Sequence, residues 1–292
     1  MKYMHFNSSC SYAALANLLE LMGIDTEDTE IALEMGMPWL FHREGDTFLS
    51  GPMLQSAEWF NLWLFPRGLC MTETEVEKGA LCVRLKSSGP AMLGLHTPYG
   101  KHAVVFTGFD GAYRFINPTY EDRAEATELA LFDSDLIERT DDIVMLARVE
   151  RAEPNQVDPR PYLCRSVQIV RENVEAIERF AAAMHDPDAY LSTLNRLFRP
   201  LLLDGIGMLT LIGETALAKR FTTLQAALLS FLRGPRTGRL KDVLSLEELY
   251  DAAEEYVRLI EAKIGGAGLQ GSSTPTPREF ARSLNDTSSV TS

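Results

Sequence analysis

The periodicity of apolar residues changes near residue 150, and that switch limits the folds open to this chain more than any other feature. Between residues 90 and 150 the apolar runs are short, rich in β-branched and aromatic residues, and cut by Pro/Gly or Asp-Gly. From about 160 to 264 apolar residues recur at three- and four-residue spacing, the signature of amphipathic helices. A chain with this order reads as an α+β domain over residues 1–150, a linker over 151–160, and a helical bundle or cap over 161–264. Residues 265–292 are Gly/Ser/Thr/Pro-rich and read as a disordered tail.

In the first domain the pattern predicts helices over 11–22, 25–36, 52–64 and 74–89. Asn7, Ser8 or Ser9 could cap the first, and Gly23 could end it. Strands are predicted over 90–97, 101–109, 112–118 and 142–150, with a hairpin turning at Asp110-Gly111. In the second domain helices are predicted over 161–184, 188–204, 213–233 and 245–264.

Composition excludes several classes of function. The chain has 292 residues, 46% of them apolar, enough to bury a core. Its 28 Lys plus Arg stand against 41 Asp plus Glu, a formal charge of −13. Nucleic-acid binding needs a concentrated basic surface, so nucleic acid is not the expected partner. Four cysteines without a CxxC pair argue for reduced thiols, with neither a disulfide framework nor a metal site. The N-terminus lacks the clean apolar run of a signal peptide, and no stretch is long enough for a membrane span. A soluble cytoplasmic protein with no membrane partner is expected.

The stretch "NSSCSYAALANLLELMG" puts Cys10 at the mouth of a helix that is apolar on nearly every side. A helix N-terminus supplies partial positive charge and unpaired N–H groups, both of which stabilise a thiolate. A nucleophile then needs a base, usually His, and a third group to fix its tautomer. His102 begins one predicted strand and Asn117 ends the next. In a hairpin turning at Asp110-Gly111 both lie near the same open end, so their side chains can meet.

Together "CSYAALANLL" and "HAVVFTGFDGAYRFINP" resemble the papain-like cysteine peptidase superfamily, in particular the double-glycine-leader (bacteriocin-processing) peptidases. The resemblance covers roughly the first 150 residues, its specific motifs two short blocks. It implies a papain-like fold, a central helix against an antiparallel sheet. It also implies a triad of Cys10 as nucleophile, His102 as general base and acid, and Asn117 orienting His102. Two positions depart from the family pattern: Ser11 stands where Gly is usual, and Met4 where an oxyanion-stabilising Gln is usual. His5 or Asn7 could donate instead, or the Cys10 N–H could act alone, and Ser11 adjoins the thiol. Losing one oxyanion donor costs about 10²–10³ in rate, so a weakened or repurposed enzyme fits as well. More distantly, the two-domain layout is similar to the butirosin biosynthesis protein H-like proteins, which transfer an acyl group from a carrier protein to an amine.

Other candidates have plainer readings. Cys70, Cys82 and Cys164 sit in apolar or helical surroundings with no base nearby. His42 and His185 read as loop or helix-end residues, and His96 has only a modest claim. The aromatic run "WFNLWLF" reads as packing, and "DTEDTEIALE" as charge at a helix N-terminus. Between Thr215 and Lys241 there is no acidic residue, while Lys219, Arg220, Arg233, Arg236 and Arg239 are present. That segment could dock an acidic acyl carrier protein, or simply offset the acidic remainder.

The expectation is thiol-dependent acyl transfer without metal or cofactor. A hydrolase acting on a peptide, amide or thioester and an acyltransferase passing the acyl group to an amine share this chemistry. A non-catalytic binding or regulatory protein on a degenerate papain-like fold is the alternative.

Overall fold

A computed structural model describes residues 1–98, 100–123, 126–234 and 238–265. The predicted tail beyond Gly265, and Arg236 of the basic segment, lie outside the described residues. The fold is mixed α+β. In chain order the first elements are helices α1 (Cys10–Leu21) and α2 (Asp28–Met35), the hairpin β1 (Phe41–Glu44) and β2 (Thr47–Ser50), and α3 (Ala57–Leu64). Then come β3 (Leu69–Glu77), α4 (Lys78–Lys86), β4 (Ala91–Thr97), β5 (Gly100–Phe109), β6 (Tyr113–Ile116), β7 (Glu128–Leu131), α5 (Asp133–Glu138) and β8 (Ile143–Arg151). Helices α6 (Arg160–Ala182), α7 (Pro187–Thr193), α8 (Gly205–Leu211), α9 (Thr215–Arg233) and α10 (Leu246–Gly265) complete the order.

Two compact units emerge, and they do not divide at one point in sequence. The described part of the first holds Met1–Ile31 and Glu75–Leu146; the second holds Ala32–Thr74 and Ala147–Gly265. Residues 32–74, read in sequence with the first domain, therefore belong with the helices.

Six strands form one sheet in the order β3-β8-β4-β5-β6-β7, and β4 to β7, which lie wholly in the first unit, pair antiparallel in succession. Val104, Phe106, Tyr113, Phe115 and Leu131 point into a core with Leu81 and Leu85 of α4 and Leu136 of α5. No side chain of α1 belongs to this core. Helix α1 packs instead on β5 and β4, whose alternate residues Val105 and Met92 are also buried. By the alternation of a strand, it lies against the opposite face. Nearly every residue of α1 is buried, which is why its sequence is apolar all round. Gly23, at φ +80°, takes the left-handed conformation that turns the chain out of the helix.

Residues 74–89, predicted as one helix, divide into the end of β3 and α4. In the charged run "TETEVEK" Val76 alone is buried, while Thr72 to Glu75 and Glu77 are exposed, so the run offers no apolar periodicity to mark it as a strand. The sequence reading also missed β1, β2, β7 and α5, which are only four to six residues long.

In the second unit, β1 pairs β2 in register from Phe41↔Ser50 to Glu44↔Thr47. Its polar bonds to the helices join residues far apart in sequence. Ser166 donates to Phe41 O, and the Tyr256 hydroxyl donates to Pro38 O at 2.6 Å. Ser50 donates to the buried Asp204 carboxylate at 2.6 Å, which also accepts from Arg199. Gly51 is required here, because a side chain there would begin 2.0 Å from Met37 O. The predicted helix over 188–204 starts as α7 and widens into π turns over Leu194–Phe198 and Pro200–Asp204, since Pro200 cannot supply an α-helical N–H. The predicted helix over 213–233 is α9, parted from α8 by Gly213 at φ +81°. Among the described residues, no helix is long and apolar enough to cross a membrane.

Candidate active site

The site is built on the N-terminal nine residues, which are tied down at intervals. Asn17, inside α1 and fully buried, accepts from Lys2 N and donates to Lys2 O, both at 2.8 Å. Met4 N donates to Thr119 O at 2.8 Å. His5 N donates to Asp28 at 2.8 Å, and the His5 Nδ1 is 2.6 Å from the other oxygen of that fully buried carboxylate. A tight turn follows, with Ser9 N on Phe6 O and Ser8 held at φ +64°. That positive φ is unfavourable for a residue with a side chain, and it reverses the chain so that α1 opens at Cys10. Ser9 occupies the cap position, but its buried hydroxyl makes no capping bond and no other hydrogen bond. The Cys10 N–H has no protein acceptor among the described residues, and so remains available to a substrate oxygen.

His102 comes to Cys10 from β5. Burial pushes the Cys10 thiol up, but hydrogen bonds with His102, the Ala103 N–H and the Ser11 hydroxyl bring it below the ordinary thiol range. The His102 Nε2 lies 2.8 Å from Pro118 O. A carbonyl can only accept, so Nε2 carries the hydrogen of the neutral ring and Nδ1 is left for the thiol. The imidazole is thus oriented by main chain.

Asn117 is not the group on that nitrogen. Its amide donates to Ala126 O at 2.7 Å, while its main-chain N–H donates to Thr127 O. The reason is register. Val105 pairs Ile116, so one step further Asn117 falls opposite Val104, two residues from His102. A strand pair brings facing residues together, and the carbonyl after Asn117 reaches the imidazole instead.

The other candidates are placed as follows. Ser11 is buried beside Cys10, and its hydroxyl is one of the thiol's donors. Asn7 is exposed in the turn. Asp28, the first residue of α2, holds His5 and raises its pKa above the usual imidazole range, burial opposing and Glu27 and Glu121 assisting. The Tyr120 hydroxyl approaches Phe6 O at 3.4 Å, and both Cys10 and Asp28 act electrostatically on that phenol. One ligand atom each from His5, Glu27 and Asp28 falls within 4.8 Å of the others, yet Lys2 is on Glu27 at 3.0 Å and His5 on Asp28. These charges are already compensated within the chain. Pro118 O, Asp28 and Tyr120 escaped the sequence reading. Only the acidic run around Asp28 left a signal, and it reads equally well as helix N-terminal charge.

In the second unit, Arg220 of the basic segment is held by Glu248 at 2.6 Å and by Glu255. It joins α9 to α10 and is not free for a partner. Lys219 and Arg233 are exposed on α9, and Arg239 lies 3.6 Å from Asp242. Cys70 and Cys82 are half-buried and Cys164 exposed. His42 packs edge-on to Trp59, His185 stacks on Phe180, and His96 pairs with Asp141 at 2.6 Å.

Comparison with protein-family models and with curated proteins finds no match to this chain.

Proposed function

We propose that the protein is a thiol-dependent acyl-transfer enzyme on a papain-like first unit, with Cys10 as nucleophile and His102 as general base and acid. The observation that carries this reading is the hydrogen-bonded Cys10–His102 pair at a helix N-terminus, its imidazole oriented through Nε2 by Pro118 O. In this reading His102 Nδ1 takes the thiol proton and the Cys10 sulfur adds to a substrate carbonyl. The Cys10 N–H, at the positive end of α1, donates to the developing oxyanion. His102 then returns the proton to the leaving group, and water or an amine releases the acyl group. His5, committed to Asp28 through Nδ1 only, supplies the second oxyanion donor through Nε2 in place of the Gln that Met4 replaces.

The position of Asn117 favours a second reading, a binding protein on a degenerate fold, because that side chain is not on the imidazole. The lowered thiol weighs against it, since an inert buried cysteine in apolar surroundings is pushed up, not down. The test is acyl-enzyme formation. A small activated thioester is expected to leave an acyl mass on Cys10, and His102→Ala should slow this by about 10²–10⁴. Acylation that is absent, or equal in the variant, would favour the binding protein.

A further inference from the structure

The face of the first unit's sheet that carries α1 is left open beyond the helix. Arg114 and Ile116 on β6, and Glu128 and Ala130 on β7, alternate with the core residues Phe115 and Leu131 and so share that face. Together with Thr107 they line a half-open trough of about 540 Å³. Its position relative to the thiol follows from register. Ile116 faces Val105 on one side and Glu128 on the other. Val105 is three residues along β5 from His102, a rise of about 10 Å. The next step along the trough, Arg114 opposite Ala130, adds about 7 Å. An extended peptide with its carbonyl at Cys10 would therefore lay its third to fifth residues here.

The polarity of the trough selects among such peptides. Arg114 is committed to Asp110 at 2.8 Å. The Glu128 carboxylate is exposed and acts on the Arg114 guanidinium only through space, with no close ion pair among the described residues. Two carboxylates thus stand against one guanidinium, with Ile116 and Ala130 as an apolar floor between polar walls. That mixture suits a peptide main chain with aliphatic-stemmed cations better than a hydrocarbon chain.

We propose that this trough is a substrate subsite for an extended peptide segment bearing Lys or Arg three to five residues from the reacting carbonyl, with Glu128 as the specificity residue. The proposal rests on Cys10 being the nucleophile. The test uses hexapeptides carrying a chloromethyl ketone at the C-terminus or a chloroacetyl group at the N-terminus, with Lys, Ala or Glu at the third to fifth residue from the warhead. Cys10 labelling rates are read by mass spectrometry in wild type, Glu128→Gln and Glu128→Lys. In one of the two polarities Lys peptides should label about two- to five-fold faster than Ala peptides, the range of an exposed ion pair. Glu128→Gln should abolish the preference and Glu128→Lys reverse it. Iodoacetamide, too small to reach the trough, should label all three proteins equally fast. Rates indifferent to peptide charge in both polarities, or a Lys preference that survives Glu128→Gln, would overturn the subsite. If iodoacetamide labels Cys10 no faster than Cys164 in wild type, the nucleophile reading fails and the subsite falls with it.

Discussion

The Cys10 thiol gains three hydrogen-bond partners and loses solvent, and the partners win. One of them, the Ser11 hydroxyl, occupies the position where the resemblance implies Gly, so the departure from that pattern supports the thiolate. Ser11→Ala should move the midpoint of Cys10 alkylation to higher pH, read from rate against pH. Asn117→Ala, by contrast, should leave the alkylation rate within about two-fold, because it removes a bond to Ala126 O and none to His102. A much larger loss would put Asn117 back in the catalytic machinery. Cys10 and His102 were legible in the sequence because each sits at an element start. The orienting group was not, since any residue's carbonyl can serve and its identity leaves no trace in side-chain type.

At the scale of elements, two buried carboxylates each anchor a partner from a distant segment. Asp28 fixes the N-terminal segment through His5, whose pKa is raised by that hydrogen bond despite burial. A raised imidazole contributes stability below its unfolded value of about 6.5, and the contribution is lost as pH rises through the folded value. His5→Asn should therefore lower the urea midpoint more at pH 6 than at pH 9. Asp204 is fully buried with Arg199 and Ser50, and burial nevertheless raises its pKa against both. Arg199→Met should cost about 3–5 kcal/mol at pH 8 by stranding that charge, and progressively less as the pH falls and the carboxyl takes up a proton. Long periodic elements such as α6, α9 and α10 could be read from sequence, as could the β5–β6 hairpin with its Asp-Gly turn. Elements of four to six residues carry too few periods to declare themselves, and β3 was masked by its charged outward face.

At the scale of the whole molecule, the change of periodicity near residue 150 marks where helices begin but not where a unit begins. Residues 32–74 leave the first unit's sequence to join the helices, because Pro38, Phe41 and Ser50 find partners in Tyr256, Ser166 and Asp204. Contacts separated by 125 to 218 residues have no local signature. A fragment of residues 147–265 should consequently lack cooperative urea unfolding followed by circular dichroism, whereas joining residues 32–74 to it should restore cooperativity. The account as a whole stands on the Cys10–His102 pair, and the most direct test is the pH dependence of Cys10 alkylation by iodoacetamide in wild type and His102→Ala. It predicts labelling of Cys10 that persists well below the ordinary thiol range, faster than that of Cys70, Cys82 and Cys164, and shifted to higher pH without the imidazole. Labelling of Cys10 at the rate of the other three cysteines, and indifferent to His102, would contradict it.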